Sequence, residues 1–242
     1  MQVFDDPERV AEAAARRVAE VARESISENG VFSIALAGGS TPRRVYELLA
    51  GDELRGLVEW NNTHVFFGDE RAVPHDDPES NFRMASESLL SRVPVPERNV
   101  HRIEGLGDAA ANASRYESEM RGLFGEDADW PRLDLVLLGM GDDGHTASLF
   151  PGTAALDERR VWATANWVEK LGAWRVTLTA PAINAARRVL FIVNGAGKAE
   201  RLREVLQGER DPARLPSQLI RPRDGALEWF VDRAAAARLD DD

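Results

Sequence analysis

The stretch Leu133–Gly152, LDLVLLGMGDDGHTASLFPG, decides how this chain is read. Its opening, Leu133–Leu138, is the mostly apolar run of a strand covered on both faces. The run stops at Gly139-Met140-Gly141-Asp142-Asp143-Gly144, where three glycines permit backbone shapes that other residues resist. His145 follows at once, then Thr146, Ala147 and Ser148. In an open parallel sheet, ligands bind beyond the carboxyl ends of the strands. A strand that delivers two carboxylates and an imidazole to such a turn predicts a reaction site centred on His145.

Outward from this stretch, other strand ends repeat the arrangement. Val31–Ala37 is a predicted strand that runs into Gly38-Gly39-Ser40-Thr41-Pro42, and Pro42 opens a helix to Leu49. Two glycines, two hydroxyls and a helix N-terminus suit an anion cradle; a plain βα turn with a Ser/Thr cap is the competing reading. Thr63–Phe67 is the next strand and ends in Gly68-Asp69-Glu70-Arg71. Arg71 offers a bidentate fork to a phosphate or carboxylate, or simply to a neighbouring acid. Ser80-Asn81 caps a helix to about Leu90. Downstream, Val161–Trp167 and Trp174–Thr179 are expected as an antiparallel pair at one side of the sheet, with Arg175 beginning the second. Arg188–Val193 leads into Asn194-Gly195-Ala196-Gly197-Lys198, and Gly225–Asp232 is the last strand. A helix from Pro7 to about Glu28, a short strand at Val100–Ile103, helices over Gly107–Phe124 and from Lys198 to about Leu206, and a short terminal helix capped by Asp232 complete the set. Strands alternate with helices across residues 1–242 without repeat or linker, which predicts one doubly wound α/β domain.

Composition removes whole classes of function. A net charge of −11 argues against a nucleic-acid or anionic-membrane partner. Cysteine is absent, so disulfides, thiol nucleophiles and thiolate metal sites are all excluded. No run approaches the ~20 apolar residues of a membrane span, and the charged N-terminus has no signal-peptide core. A cytoplasmic protein is expected. Lys170 and Lys198 are the only lysines among 30 cationic residues. Genome composition accounts for that scarcity, although it singles out Lys198 as a rare ammonium.

Several motifs compete for the organising stretch. Gly139–Gly144 fits the dinucleotide pattern G-x-G-x-x-G. However, about half the chain precedes it, two aspartates occupy the place of a pyrophosphate, and Pro151 arrives too soon for the long helix that should follow. Gly195-Ala196-Gly197-Lys198 has Ala199 where a P-loop needs Ser or Thr, and no G-x-S-x-G elbow exists. His75 beside Asp76 and Asp77 reads as a solvated loop rather than a metal site, and His64 and His101 read as structural. What survives is a shared edge. Gly38–Thr41, Asp69–Arg71, Asp143–His145 and Lys198 all lie at strand ends, where Ser40, Thr41, Arg175 and Lys198 suit a phosphate and His145 the far end of the ligand. Acid/base work on a phosphorylated small molecule is the chemistry left.

At this point ALAGGSTPRRVYELL, FFGDERAVPHDDPESNFRMA, LDLVLLGMGDDGHTASLFPG, WRVTLTAPAINAARRV and NGAGKAE together resemble the 6-phosphogluconolactonase family. The resemblance is collinear over roughly residues 8 to 235. It implies a three-layer α/β/α fold with a mostly parallel doubly wound sheet, a modified Rossmann type shared with sugar-phosphate isomerases and deaminases. It also implies hydrolysis of 6-phospho-D-glucono-1,5-lactone in the oxidative pentose phosphate pathway, with no metal and no organic cofactor. Oligomeric state is left open, a monomer being compatible. The related deaminases carry a glutamate where this chain has Phe150, and an aromatic ring cannot shuttle a proton, so lactone hydrolysis is favoured over ring-opening deamination. A sensor domain that binds sugar phosphates without turnover is the other alternative. Such regulators carry a helix-turn-helix, and no basic helix in this sequence supplies one.

The expected mechanism makes His145 the general base that activates water, an ordinary imidazole being largely neutral near pH 7. Asp143 or Asp69 orients the ring, an alternative the residues leave open. Backbone N–H groups of the glycine turn, helped by Arg71, stabilise the oxyanion. Gly38, Gly39, Ser40, Thr41, Arg175 and Lys198 hold the phosphate, and Asn81 meets sugar hydroxyls.

Overall fold

A computed structural model describes residues 1–240. The elements, in chain order, are β1 (Gln2–Phe4), α1 (Pro7–Asn29), β2 (Phe32–Leu36), α2 (Ser40–Leu49), β3 (Thr63–Phe67), β4 (Asp69–Arg71), α3 (Asn81–Ala85), α4 (Ala109–Phe124), β5 (Leu135–Leu138), β6 (Ala163–Val168), β7 (Ala173–Leu178), α5 (Ala180–Asn184), β8 (Arg188–Val193), α6 (Ala199–Gln207), β9 (Ala226–Asp232) and α7 (Arg233–Ala236). Local chemistry sets many of the boundaries. Asp6 caps α1 by accepting from the Arg9 N–H at 2.9 Å, and Gly30, at φ +78°, closes it. None of the helices of the described residues is long and apolar enough to cross a membrane.

Six strands form one parallel sheet in the order β1-β9-β8-β5-β2-β3. Strand order runs outward from β2 to β3 on one side and through β5, β8 and β9 on the other. The reversal lies between β2 and β5, and that is where ligands bind in such sheets. Helices flank the sheet, giving the three-layer α/β/α arrangement; α1 packs on α2 and against β2, β8 and β9. Every residue of β2 and β5 is buried. The one polar intrusion before β5, Asp134, accepts from the Ser33 N–H at 2.8 Å and from the Ser33 hydroxyl at 2.7 Å, while Arg187 pairs with its other oxygen. A buried carboxylate so fully partnered fits inside an otherwise apolar layer.

Two expectations need correction, and one strand carried no signal in the sequence. Strands β6 and β7 are antiparallel, but they join β4 in a second, three-stranded sheet rather than extending the first. Gly68 hands the chain between the two sheets. Its N–H donates to Leu36 of the parallel sheet, while its carbonyl accepts from Leu178 of the other, both at 2.8 Å. Val100–Ile103 makes only a single bridge, Val100 to Val65, and no strand. Gln2–Phe4, too short to show alternation, forms an edge strand on β9.

Candidate active site

Two buried tyrosines fix the strand ends that frame the site. The Tyr46 hydroxyl accepts from the Ala37 N–H and donates to the Ala37 carbonyl, both at 2.9 Å. Tyr116 does the same for Phe67, at 2.8 and 2.9 Å. Burial pushes both phenols well above their usual range, so they stay neutral. Ala37, next after β2, and Phe67, the last residue of β3, are thereby clamped just before Gly38 and Gly68.

Beyond those ends lies a cavity of about 470 Å³, a size that suits a sugar phosphate. Gly38, Gly39, Asp69, Arg71, Asn81, His145, Arg175 and Lys198 all line it, so the structure brings most of the predicted residues together. Ser40 and Thr41 do not line it. Gly39 caps α2 with φ +103° and ψ 171°, a conformation tolerated essentially by glycine alone, and no side chain caps the helix. The Gly38 and Gly39 backbone therefore lines the cavity instead of the two hydroxyls.

The imidazole is held from three sides. His145 Nδ1 lies 2.5 Å from Asp143 Oδ1, which also accepts from the His145 N–H at 3.2 Å. The ring stacks on Phe150, centroids 3.9 Å apart and planes 22° apart. A Cβ on Gly141 would sit 2.1 Å from the ring, so only glycine lets the imidazole lie there. With Nδ1–H donated to the carboxylate, Nε2 keeps its lone pair for proton transfer. The hydrogen bond from His145 holds Asp143 well below the ordinary carboxylate range against the cost of burial, and Lys170 adds to it.

Asp69, the alternative orienter, is engaged elsewhere. Its Oδ2 accepts from the Ser148 hydroxyl at 2.6 Å, and its Oδ1 accepts from Asn81 Nδ2 at 3.2 Å. Asn81 Oδ1 is buried, lies against Gly38 and has no partner among the described residues. It is an unpaired acceptor covered by the Gly38 backbone. Two N–H groups of the glycine turn are already used within the turn. Gly141 donates to the His145 carbonyl at 2.8 Å and Gly144 to the Gly141 carbonyl at 3.0 Å. The N–H of Ala147, a cavity-lining residue in the left-handed region at φ +46°, has no protein acceptor among the described residues. Strain of this kind persists where surrounding structure imposes it, and here Ser148 is pinned by Thr177 and Asp69 and Thr146 by Gly139.

Cations gather at both flanks. Arg71 and Arg175 are direct partners in the β4–β7 ladder, where like charges repel unless an anion lies between them. Burial, then the charge of Arg71, lowers the pKa of Arg175. Lys198 approaches from the end of β8 and is paired with Asp142, whose carboxyl this contact holds low. Lys170, given no role from sequence, reaches Asp143 Oδ2 at 3.0 Å and lines the same cavity. The chain's lysine scarcity was the available signal: both lysines stand at this one site. His75 bonds the Ile103 carbonyl, and His64 and His101 bond one another, all outside the cavity lining.

A parallel sheet with a histidine–aspartate pair and four cations gathered at its switch point defines an α/β protein with a site suited to a small anionic ligand. The family described as glucosamine-6-phosphate isomerases/6-phosphogluconolactonase matches residues 5–229. A 6-phosphogluconolactonase from Nostoc sp. is 44% identical over 217 residues, spanning 89% of this chain and 88% of that one. The structure of 6-phosphogluconolactonase from Trypanosoma cruzi superposes with a TM-score of 0.88 at 32% identity, over 99% of this chain and 96% of that one. A monomeric glucosamine-6-phosphate deaminase shares the fold, with a TM-score of 0.81 at 23% identity over 98% of this chain and all of the other. The chain belongs to the glucosamine-6-phosphate isomerase/6-phosphogluconolactonase family.

Proposed function

We propose that this chain hydrolyses 6-phospho-D-glucono-1,5-lactone to 6-phospho-D-gluconate, with His145 as general base. The observation that carries the reading is the Asp143–His145 pair, backed by Phe150 and set in a cavity walled by arginine and lysine. Nε2 takes a proton from water as the oxygen adds to the lactone carbonyl. The tetrahedral intermediate expels the ring oxygen, and the imidazolium returns the proton to it. No covalent intermediate is required, because a lactone is already reactive towards hydroxide. Arg71 and the Ala147 N–H face the developing oxyanion. Arg175, Lys198 and the Gly38–Gly39 backbone hold the phosphate, and Asn81 meets the sugar hydroxyls. Phe150 favours this reaction over deamination, since it fills the space beside His145 with a ring that carries no titratable proton.

The test is base consumption in a pH-stat with freshly prepared 6-phosphogluconolactone. Turnover well above the spontaneous rate is expected, with no ammonia released from glucosamine 6-phosphate. His145→Ala should reduce kcat by roughly 10²–10⁴-fold. A folded His145→Ala protein with undiminished turnover would remove the base from the proposal.

A further inference from the structure

Lys170 sits at the tip of the β6–β7 hairpin, in the turn Glu169–Leu171 that Gly172 closes at φ +57°. Its side chain is 68% exposed, and an ion pair that open adds little to folding stability. Yet its ammonium lies 3.0 Å from Asp143 Oδ2, while the other oxygen of that carboxylate holds the His145 ring. The chain uses 30 cationic side chains and only two lysines, and these two meet the consecutive residues Asp142 and Asp143, one each. The same hairpin carries Arg175, five residues further on.

We infer that Lys170 is a positioning residue for lactone hydrolysis: through Asp143 it fixes the orientation and tempers the charge of the carboxylate that governs His145. The inference rests on the proposed role of His145. An ammonium on Oδ2 leaves Oδ1 as the oxygen turned to the ring and stops the carboxylate from rotating. It also offsets the negative charge that would otherwise favour imidazolium over imidazole. The other charged groups around the ring are accounted for. Asp142 is already paired with Lys198, Asp69 is hydrogen-bonded to Ser148 and Asn81, and Arg71 and Arg175 stand on the β4–β7 ladder. Lys170 is the cation that touches Asp143 itself.

The discriminating experiment compares wild type, Lys170→Ala and Lys170→Arg. Two readouts are used, the pH profile of kcat/KM on 6-phosphogluconolactone and an NMR titration of the His145 ring that needs no turnover. Lys170→Ala should move the acidic limb and the ring titration upward together, by roughly half a pH unit. The loss of activity should be several-fold near pH 6 and shrink above pH 8. Lys170→Arg should restore most of both. KM should change alike for phosphorylated and unphosphorylated gluconolactone. An unmoved limb and titration in an active enzyme would overturn the role of Lys170 alone. So would a KM defect confined to the phosphorylated lactone, because the ammonium would then be gripping phosphate. A shifted ring titration in a protein that never hydrolyses the lactone would instead overturn the proposed function and leave the Lys170–Asp143–His145 coupling standing.

Discussion

Asp69 and Asp143 both follow the carboxyl end of a parallel strand, Asp69 directly after Gly68 and Asp143 within the Gly139–Gly144 turn. They are in different chemical positions nonetheless. Asp69 is 9% exposed and accepts from neutral donors, the Ser148 hydroxyl and the Asn81 amide. Asp143 is more open and is bound by an imidazole and an ammonium. The first arrangement fixes a wall of the cavity; the second holds the imidazole that the proposed mechanism uses as a base. Partners, more than residue type or sequence setting, decide what a carboxylate at a strand end does.

The largest effect that would sharpen this contrast is Asp143→Asn. Losing the carboxylate frees the ring to adopt the wrong tautomer, and kcat should fall on the order of 10²-fold. The acid side of stability should change as well. A carboxyl held below its unfolded value stabilises the fold above about pH 4, and that contribution is lost as pH falls through the lowered folded value. Urea midpoints from pH 7 to 2.5 should therefore slope less steeply in Asp143→Asn than in wild type. Gly141→Ala tests the same side sterically. Its new methyl would collide with the imidazole, so activity should fall nearly as far while the fold persists.

Next in size are the anchors. Lys198→Ala and Arg175→Ala each remove a charge-assisted contact of about 1.5–3 kcal/mol. The KM for the phosphorylated lactone should rise roughly 10–100-fold, with little change for unphosphorylated gluconolactone. An equal effect on both substrates would remove the phosphate assignment. Smallest is Asp69→Asn, which should cost about 1–2 kcal/mol of stability through mismatched hydrogen bonds. It should leave the acidic limb of kcat/KM unmoved. If that limb moved as far as in Asp143→Asn, the two aspartates would not differ as described.

Much of this was legible in the sequence because it rests on local pattern. The apolar run into Gly139–His145 marks a buried strand delivering chemistry to a sheet edge, and the strand ends at Gly38, Asp69 and Lys198 mark the rest of the rim. What was not legible depends on partners distant in sequence. Whether Asp143 or Asp69 orients the ring is decided by Ser148 and Asn81 drawing Asp69 away. The Gly141 and Gly144 N–H groups looked available, but the turn's own closure uses both. Lys170 lies 27 residues from the aspartate it contacts and reaches it only because β6 and β7 leave the parallel sheet to pair with β4. Phe150 reads from sequence as a lost glutamate; in three dimensions it is also the plate against which the imidazole rests.

The central claim is that the His145 ring gives its Nδ1 proton to Asp143 and keeps Nε2 free. Long-range ¹⁵N–¹H NMR of the imidazole, recorded at pH 8, reads this directly. A protonated Nδ1 and a bare Nε2, reversed or mixed in Asp143→Asn, is the predicted result; a ring protonated at Nε2 in the wild-type protein would contradict it.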